Sequence, residues 1–226
     1  MQADTIIYNI KELITPHRSL AHRGSEMAQV EKIKDAFIAI RNGKIIDYGK
    51  GNHSKYIHEF TYLHDAEQGI VLPGLIDSHT HLVHGGSREN EFSLKLRGVP
   101  YLTILEQGGG IHNTVKATRE ATKQELFDKA KKSLDEMLRL GVTTIEAKSG
   151  YGLNRENEIK ILEVMKELNE IHPVDISPTY LGAHAIPVEY KDNKEEYITS
   201  ILKDMAVIKN NDLAESIDVF CEENVF

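Results

Sequence analysis

From Gly69 onward the chain alternates short β-branched apolar runs with amphipathic helical patterns, and few folds accept that alternation. Gly69-Ile-Val-Leu-Pro-Gly-Leu-Ile-Asp77 is almost wholly apolar. Gly141-Val-Thr-Thr-Ile-Glu-Ala147, Val174-Asp-Ile-Ser-Pro-Thr-Tyr-Leu181 and Ile217-Asp-Val-Phe-Cys221 repeat the strand signature, with Pro178 weakening the third. Between the first two lies Thr122-Lys-Gln-Glu125, a capping box in which hydroxyl and carboxylate each satisfy an orphan backbone N–H. Leu126, Ala130, Leu134 and Leu138 follow at i+4 spacing, and Gly141 is the stop. Asn154 caps a second helical pattern carrying Ile159, Leu162, Met165 and Leu168, ended by His172-Pro173. A third carries Ile198, Ile201, Leu202, Met205 and Ile208. Strand alternating with helix predicts βαβ units, hence an α/β fold with a parallel sheet or barrel. The stretch from Gly74 to Phe226 is shorter than the ~250 residues of a complete (β/α)8 barrel. It therefore reads either as a small open sheet or as the front half of a longer barrel.

The N-terminal part has a different rhythm. Residues 5–10 form a short apolar strand pattern, and residues 36–41 and 44–48 flank Asn42-Gly43 as a hairpin. Asn-Gly suits the two positive φ angles of a type I′ turn. Residues 17–34 are polar and without a clean period, and read as loop with at most one helical turn. The change of pattern divides the chain into a small β domain, residues 1–70, and an α/β domain, residues 71–226.

Charge and cysteine content exclude several function classes. The 226 residues carry 27 Lys and Arg against 35 Asp and Glu, a net charge of −8, which argues against non-specific nucleic-acid binding and against a basic membrane-surface protein. An anionic small substrate stays open, because one buried Arg outweighs a distant surface field. A lone cysteine, Cys221, excludes an intramolecular disulfide and a Cys-rich zinc fold. Its place in an apolar strand pattern reads as a small core residue. No apolar run approaches the ~20 residues of a membrane span. The N-terminus lacks the basic and apolar regions of a signal peptide, so the expectation is a soluble, cytoplasmic protein.

The sharpest chemical feature is Leu75-Ile-Asp-Ser-His79-Thr-His81. Alternation along a strand puts Asp77, His79 and His81 on one face, where two imidazoles can share one metal ion. An H-x-H pair also arises by chance in a chain with 11 histidines, but this one ends an apolar run and precedes the loop His84-Gly-Gly-Ser. Arg88 follows directly. It reads either as a bidentate clamp for a substrate carboxylate or as a surface cation paired with Glu89 or Glu91. Tyr151 lies just past the second strand and His184 just past the third. Polar groups after the C-terminal ends of successive parallel strands are where α/β barrels build active sites. Gly108-Gly-Gly110 lacks both phosphate-loop spacings and reads as a flexible loop. Lys148 reads as the ion-pair partner of Glu146 or of a helix acid, and the remaining histidines show no ligand spacing.

The string Val71-Leu-Pro-Gly-Leu-Ile-Asp-Ser-His-Thr-His81 resembles the first barrel strand of the metal-dependent amidohydrolase superfamily. Four longer strings narrow the resemblance to its imidazolonepropionase family. They are His84-Gly-Gly-Ser-Arg-Glu-Asn-Glu-Phe92, Gln107-Gly-Gly-Gly-Ile-His-Asn-Thr-Val115, Glu146-Ala-Lys-Ser-Gly-Tyr-Gly-Leu153 and Tyr180-Leu-Gly-Ala-His-Ala-Ile-Pro187. That resemblance implies the N-terminal part of a (β/α)8 TIM-like barrel preceded by a small β-sandwich domain, both incomplete. It implies hydrolytic opening of 4-imidazolone-5-propanoate to N-formimidoyl-L-glutamate in histidine degradation, with one divalent metal ion, zinc or iron. His79 and His81 match the first two metal ligands, and Arg88 matches the residue that holds the propionate. Tyr151, His184 and Tyr101 match further substrate contacts. The remaining ligands and the proton-transfer groups belong to later barrel strands, beyond residue 226. The implied partners are the small substrate and, at full length, a second copy in a homodimer. A cyclic deaminase of the same superfamily and a non-catalytic metal-binding fragment are the competing readings.

Overall fold

The structure is a computed structural model that describes residues 2–16, 21–100, 103 and 109–222. It divides into two compact units, Met1–Pro73 and Gly74–Phe226. No helix among the described residues is long and apolar enough to cross a membrane.

The first unit is a mixed five-stranded sheet. Strands β1 (Thr5–Pro16), β2 (Val30–Arg41) and β3 (Lys44–Lys50) are antiparallel neighbours, while β4 (Tyr62–Asp65) and β5 (Ile70–Val71) both run parallel to β1. The expected hairpin forms across Arg41↔Lys44, and Asn42 (φ 51°) and Gly43 (φ 71°) take the positive φ values of a type I′ turn. β2 begins earlier than the polar sequence suggests. Its first residues pair with β1 as far as Pro16↔Val30, so ladder hydrogen bonds form there despite the missing apolar period. Four consecutive β2 residues, 36–39, are buried. Phe37 and Ala39 join Ala3, Ile6 and Tyr56 in one cluster, whereas Ala36 and Ile38 join Ile10 and Leu13 in another. With side chains alternating across the pleat, this sheet carries apolar groups on both faces.

The second unit is a four-stranded all-parallel sheet in the order β6 (Leu75–Thr80), β7 (Val142–Lys148), β8 (Asp175–Ala183) and β9 (Ser216–Val219). The crossovers contain α1 (Glu89–Leu96), α2 (Ile111–Glu120) and α3 (Lys123–Arg139), then α4 (Arg155–Ile171), then α5 (Lys194–Asn210). Sequence alone signals neither α1 nor α2. α3 starts at the expected capping box, Glu125 N–H donating to Thr122 Oγ1 at 3.2 Å and Thr122 N–H to Glu125 at 2.8 Å. Asn154 caps α4 by accepting from Asn157 N–H at 3.0 Å. Leu126, Ala130 and Leu134 of α3 pack with Ile161, Leu162, Met165 and Leu168 of α4 against Ile145 and Ile176 of the sheet.

Two expectations are corrected, on α5 and on Cys221, and the strand carrying Pro178 forms as read from the sequence. α5 buries Tyr197, Ile201, Asp204 and Ile208, leaving Leu202 and Met205 exposed, because Asp204 turns inward and pairs with Arg155. Pro178 sits within β8 opposite Ala147, tolerated because β9 pairing begins only at Thr179↔Ser216. Cys221 is exposed rather than core, since β9 ends at Val219.

Leu134 is fully buried within the α3–sheet contact. Leu134→Ala is expected to destabilise the chain by about 2–5 kcal/mol through lost transfer energy and a residual cavity. Urea unfolding followed by circular dichroism measures it, and a change below 1 kcal/mol would contradict the packing.

Candidate active site

Parallel strands deliver their C-terminal ends to one edge of the sheet, and the chemical side chains gather there. The His79 and His81 rings lie 5.9 Å apart between centroids. His79 is exposed at the end of β6; His81 stands one residue past the strand and is partly buried. The β6–β7 pairing is irregular between Asp77 and Thr80, where the strand runs into its loop.

His81 is the hub. Its ring stacks on His184 at 4.7 Å with an interplanar angle of 12°, and it lies 4.5 Å from the Tyr151 ring. Tyr151 and His184 are themselves 5.3 Å apart. Burial first, then the neighbouring His184 and His79, pushes the His81 pKa down to about 3. The imidazole is therefore neutral near pH 7, and its Nδ1 is buried with no hydrogen-bond partner among the described residues. An orphaned, neutral imidazole nitrogen suits a metal ligand. Two histidines nonetheless make an incomplete set. Among the described residues no group of three or more His, Cys, Asp or Glu is arranged to hold an ion.

Arg88 does not pair with Glu89 or Glu91 among the described residues. Instead its Nε donates to Thr114 Oγ1 at 2.9 Å, and the guanidinium carbon lies 5.7 Å from the Tyr151 ring centroid. A cavity of about 420 Å³ opens here, lined by His81, His84, Arg88, Thr114, Lys129 and Tyr151. Two cationic side chains thus face one space in a chain of net charge −8. Tyr101 lies outside the described residues.

Residues that the sequence did not single out hold this edge together. Lys129 of α3 donates to the carbonyls of His84 (3.1 Å) and Gly86 (2.5 Å) and meets His84 Nδ1 at 3.1 Å. Thr118 Oγ1 accepts from Gly85 N–H at 2.9 Å, one turn along α2 from Thr114. A Cβ at position 85 would stand 2.3 Å from the Ala117 carbonyl oxygen, so only glycine lets this loop lie against α2. The available signal was the i, i+4 spacing of the two threonines, legible only once α2 is known. Lys148 pairs with Glu146 as expected and also with Asp218 of β9. Burial opposes its charge, but the two carboxylates outweigh that and raise its pKa. Gly110, the last of the glycine run, is the N-cap of α2, with φ 71° and its N–H on Glu91 at 2.7 Å.

Lys129→Met is expected to release the 84–86 loop. Losing hydrogen bonds worth about 0.5–1.5 kcal/mol each should speed amide exchange of residues 84–88 about tenfold. Hydrogen–deuterium exchange by mass spectrometry reads it, and unchanged protection would show that the bonds brace nothing.

No protein-family model matches the chain. Among solved structures, guanine deaminase from Bradyrhizobium japonicum superposes with a TM-score of 0.56 at 18% identity, covering 91% of this chain and 40% of that one. Guanine deaminase from C. acetobutylicum, with bound guanine, gives a TM-score of 0.54 at 15% identity over 95% of this chain and 46% of that one. These likenesses establish an α/β fold with a parallel half-barrel sheet. Sequence relatives are nearer. The imidazolonepropionase of Fusobacterium nucleatum subsp. nucleatum is 52% identical over 228 residues, covering 100% of this chain and 55% of the relative. That of Alkaliphilus metalliredigens is 51% identical over 231 residues, covering 100% and 54%. With its histidine pair, Arg88, Tyr151 and His184 gathered at one sheet edge, the chain is similar along its whole length to imidazolonepropionases, and it spans about half the length of the curated relatives it matches.

Proposed function

We propose that this chain is the N-terminal half of a cytoplasmic hydrolase that opens the ring of 4-imidazolone-5-propanoate to give N-formimidoyl-L-glutamate. The observation that carries the reading is the union of His81, Tyr151 and His184 with a cavity holding Arg88 and Lys129. His79 and His81 would hold one divalent ion, zinc or iron, whose Lewis acidity makes a lactam carbonyl reactive toward water. The neutral, orphaned Nδ1 of His81 fits that role. Arg88, fixed by Thr114 through Nε, keeps its two terminal nitrogens for the propionate carboxylate. Tyr151 and His184 present flat faces against which a planar five-membered ring can lie. In the reaction the water oxygen joins the lactam carbon, the ring C–N bond breaks and the leaving nitrogen takes a proton. None of the described residues is assigned that proton transfer.

The reading extends to architecture. Residues 1–70 form part of a small β-sandwich, supported by apolar clusters on both faces of its sheet, and residues 71–226 form the first half of the barrel. The full-length protein is a homodimer. Structural likeness to guanine deaminases keeps a cyclic deaminase as the second reading, but a nucleobase has no carboxylate to engage Arg88.

The test extends the chain to the length of its relatives and follows loss of imidazolone absorbance. Activity is expected there and not in the 226-residue chain, whose described residues offer a catalytic zinc ion fewer than the usual three protein ligands. Release of ammonia from guanine with no imidazolone turnover would favour the deaminase, and no activity with either would favour a metal-binding fragment. Arg88→Met is expected to weaken transition-state binding by about 2–5 kcal/mol, seen in kcat/KM; an unchanged value would remove Arg88 from the substrate site. Replacing both His79 and His81 by alanine should abolish metal retention in elemental analysis of the extended protein. Equal metal content in variant and parent would place the ion elsewhere.

A further inference from the structure

Among the described residues, the most deeply buried carboxylate of the second unit lies in the first turn of α4, outside every role assigned above. Glu158 is 1% exposed. One of its oxygens accepts from Gly152 N–H at 2.7 Å and Leu153 N–H at 2.8 Å, and the other accepts from Gly150 N–H at 3.0 Å. The Ser149 hydroxyl also bonds it, and the same hydroxyl oxygen accepts from Leu181 N–H of β8 at 2.9 Å. The three backbone partners are all donors, and the side chain at position 158 serves them as an acceptor. Burial raises the Glu158 pKa while these donors oppose the rise.

The loop so gripped is one that a free backbone would avoid. Leu153 is fully buried at φ 50° and Gly150 sits at φ 106°. A Cβ at Gly152 would stand 2.5 Å from Glu158 N, and one at Gly150 would stand 2.8 Å from His184 Nδ1. Non-glycine residues in the left-handed region persist only where surrounding contacts over-determine them. Tyr151 is the residue between two clamped amides. Gly150, clamped through its N–H, offers its carbonyl oxygen to His184 Nδ1 at 3.0 Å. A carbonyl only accepts, so Nδ1 carries the hydrogen and the neutral ring keeps its lone pair on Nε2.

We propose that Glu158 is a positioning residue. By holding the amides of residues 150, 152 and 153 it sets the Tyr151 ring and fixes His184 as the Nδ1–H tautomer with Nε2 as acceptor. The catalytic consequence rests on the hydrolase reading above; the structural one does not. A displaced Tyr151 or a rotated His184 would misplace the substrate ring, and a misplacement of about 1 Å costs about 100-fold in rate. Gln at position 158 keeps the volume but turns an NH2 group toward backbone N–H donors, so it tests the acceptors alone.

The experiment uses the chain extended to the length of its relatives, with histidine rings labelled with 15N. In the parent protein, His184 is expected to show the Nδ1–H tautomer, and the amides of residues 150, 152 and 153 to exchange slowly. Glu158→Gln is expected to populate the Nε2–H tautomer, to speed exchange of those amides, and to lower kcat about 100-fold with a smaller change in KM. An Nε2–H tautomer or fast-exchanging amides in the parent would overturn the proposal whether or not any variant folds. So would a folded Glu158→Gln protein with His184 unchanged, or one whose lost activity equals its lost folded fraction. Parent protein that does not turn over imidazolonepropionate would sink the hydrolase reading, and the tautomer and exchange data would still decide the role of Glu158.

Discussion

Parallel pairing of β6, β7, β8 and β9 is the constraint on which the second unit depends. Strands that run the same way need a crossover after each one, and the crossovers supply the helices that cover the sheet. The same direction brings every strand's C-terminal end to one edge. His81 after β6, the loop of residues 149–153 after β7, His184 after β8 and Phe220 after β9 become neighbours, although more than a hundred positions of sequence separate the first from the last. An antiparallel arrangement of the same segments would alternate those ends and scatter the group.

Direction alone does not hold side chains at ångström separations; buried polar contacts from the helices do. Thr118 of α2, Lys129 of α3 and Glu158 of α4 each reach up to a loop and satisfy backbone groups that secondary structure leaves unpaired, and Thr114 of α2 holds the Arg88 side chain. Gly85, Gly150 and Gly152 are the points where backbone or ring approaches too closely for a Cβ. The loops are thus shaped from below by the elements that also form the core, so stability and site geometry share residues.

The local field at this edge bears little relation to the chain's net charge. Arg88 and Lys129 line one cavity, and Lys148 is balanced inside the sheet by Glu146 and Asp218. Bulk charge governs solubility and long-range encounter, whereas an anionic group entering the cavity meets the two cations at close range.

Local periodicity and capping determine much of this protein from sequence. The Asn42-Gly43 hairpin, the Thr122 and Asn154 caps and the four βαβ strands obey rules that act within a few residues, and so they are legible in the chain itself. The histidine pair and Arg88 are legible as chemistry, and their family resemblance as strings. What remained illegible was non-local. α2 hides because its buried face is mixed: Thr114 and Thr118 meet the loop of residues 84–88, and Val115 packs with Leu153 and Ala185. The inward turn of Asp204 and the role of Lys129 depend on partners tens of residues away, and Glu158 grips a loop that must fold back onto its own helix before the contact exists. A lysine or a glutamate on a helix surface looks the same in sequence whether it meets water or three backbone groups. Only the tertiary structure decides, because the cost of burying a charge vanishes from view until its partners arrive.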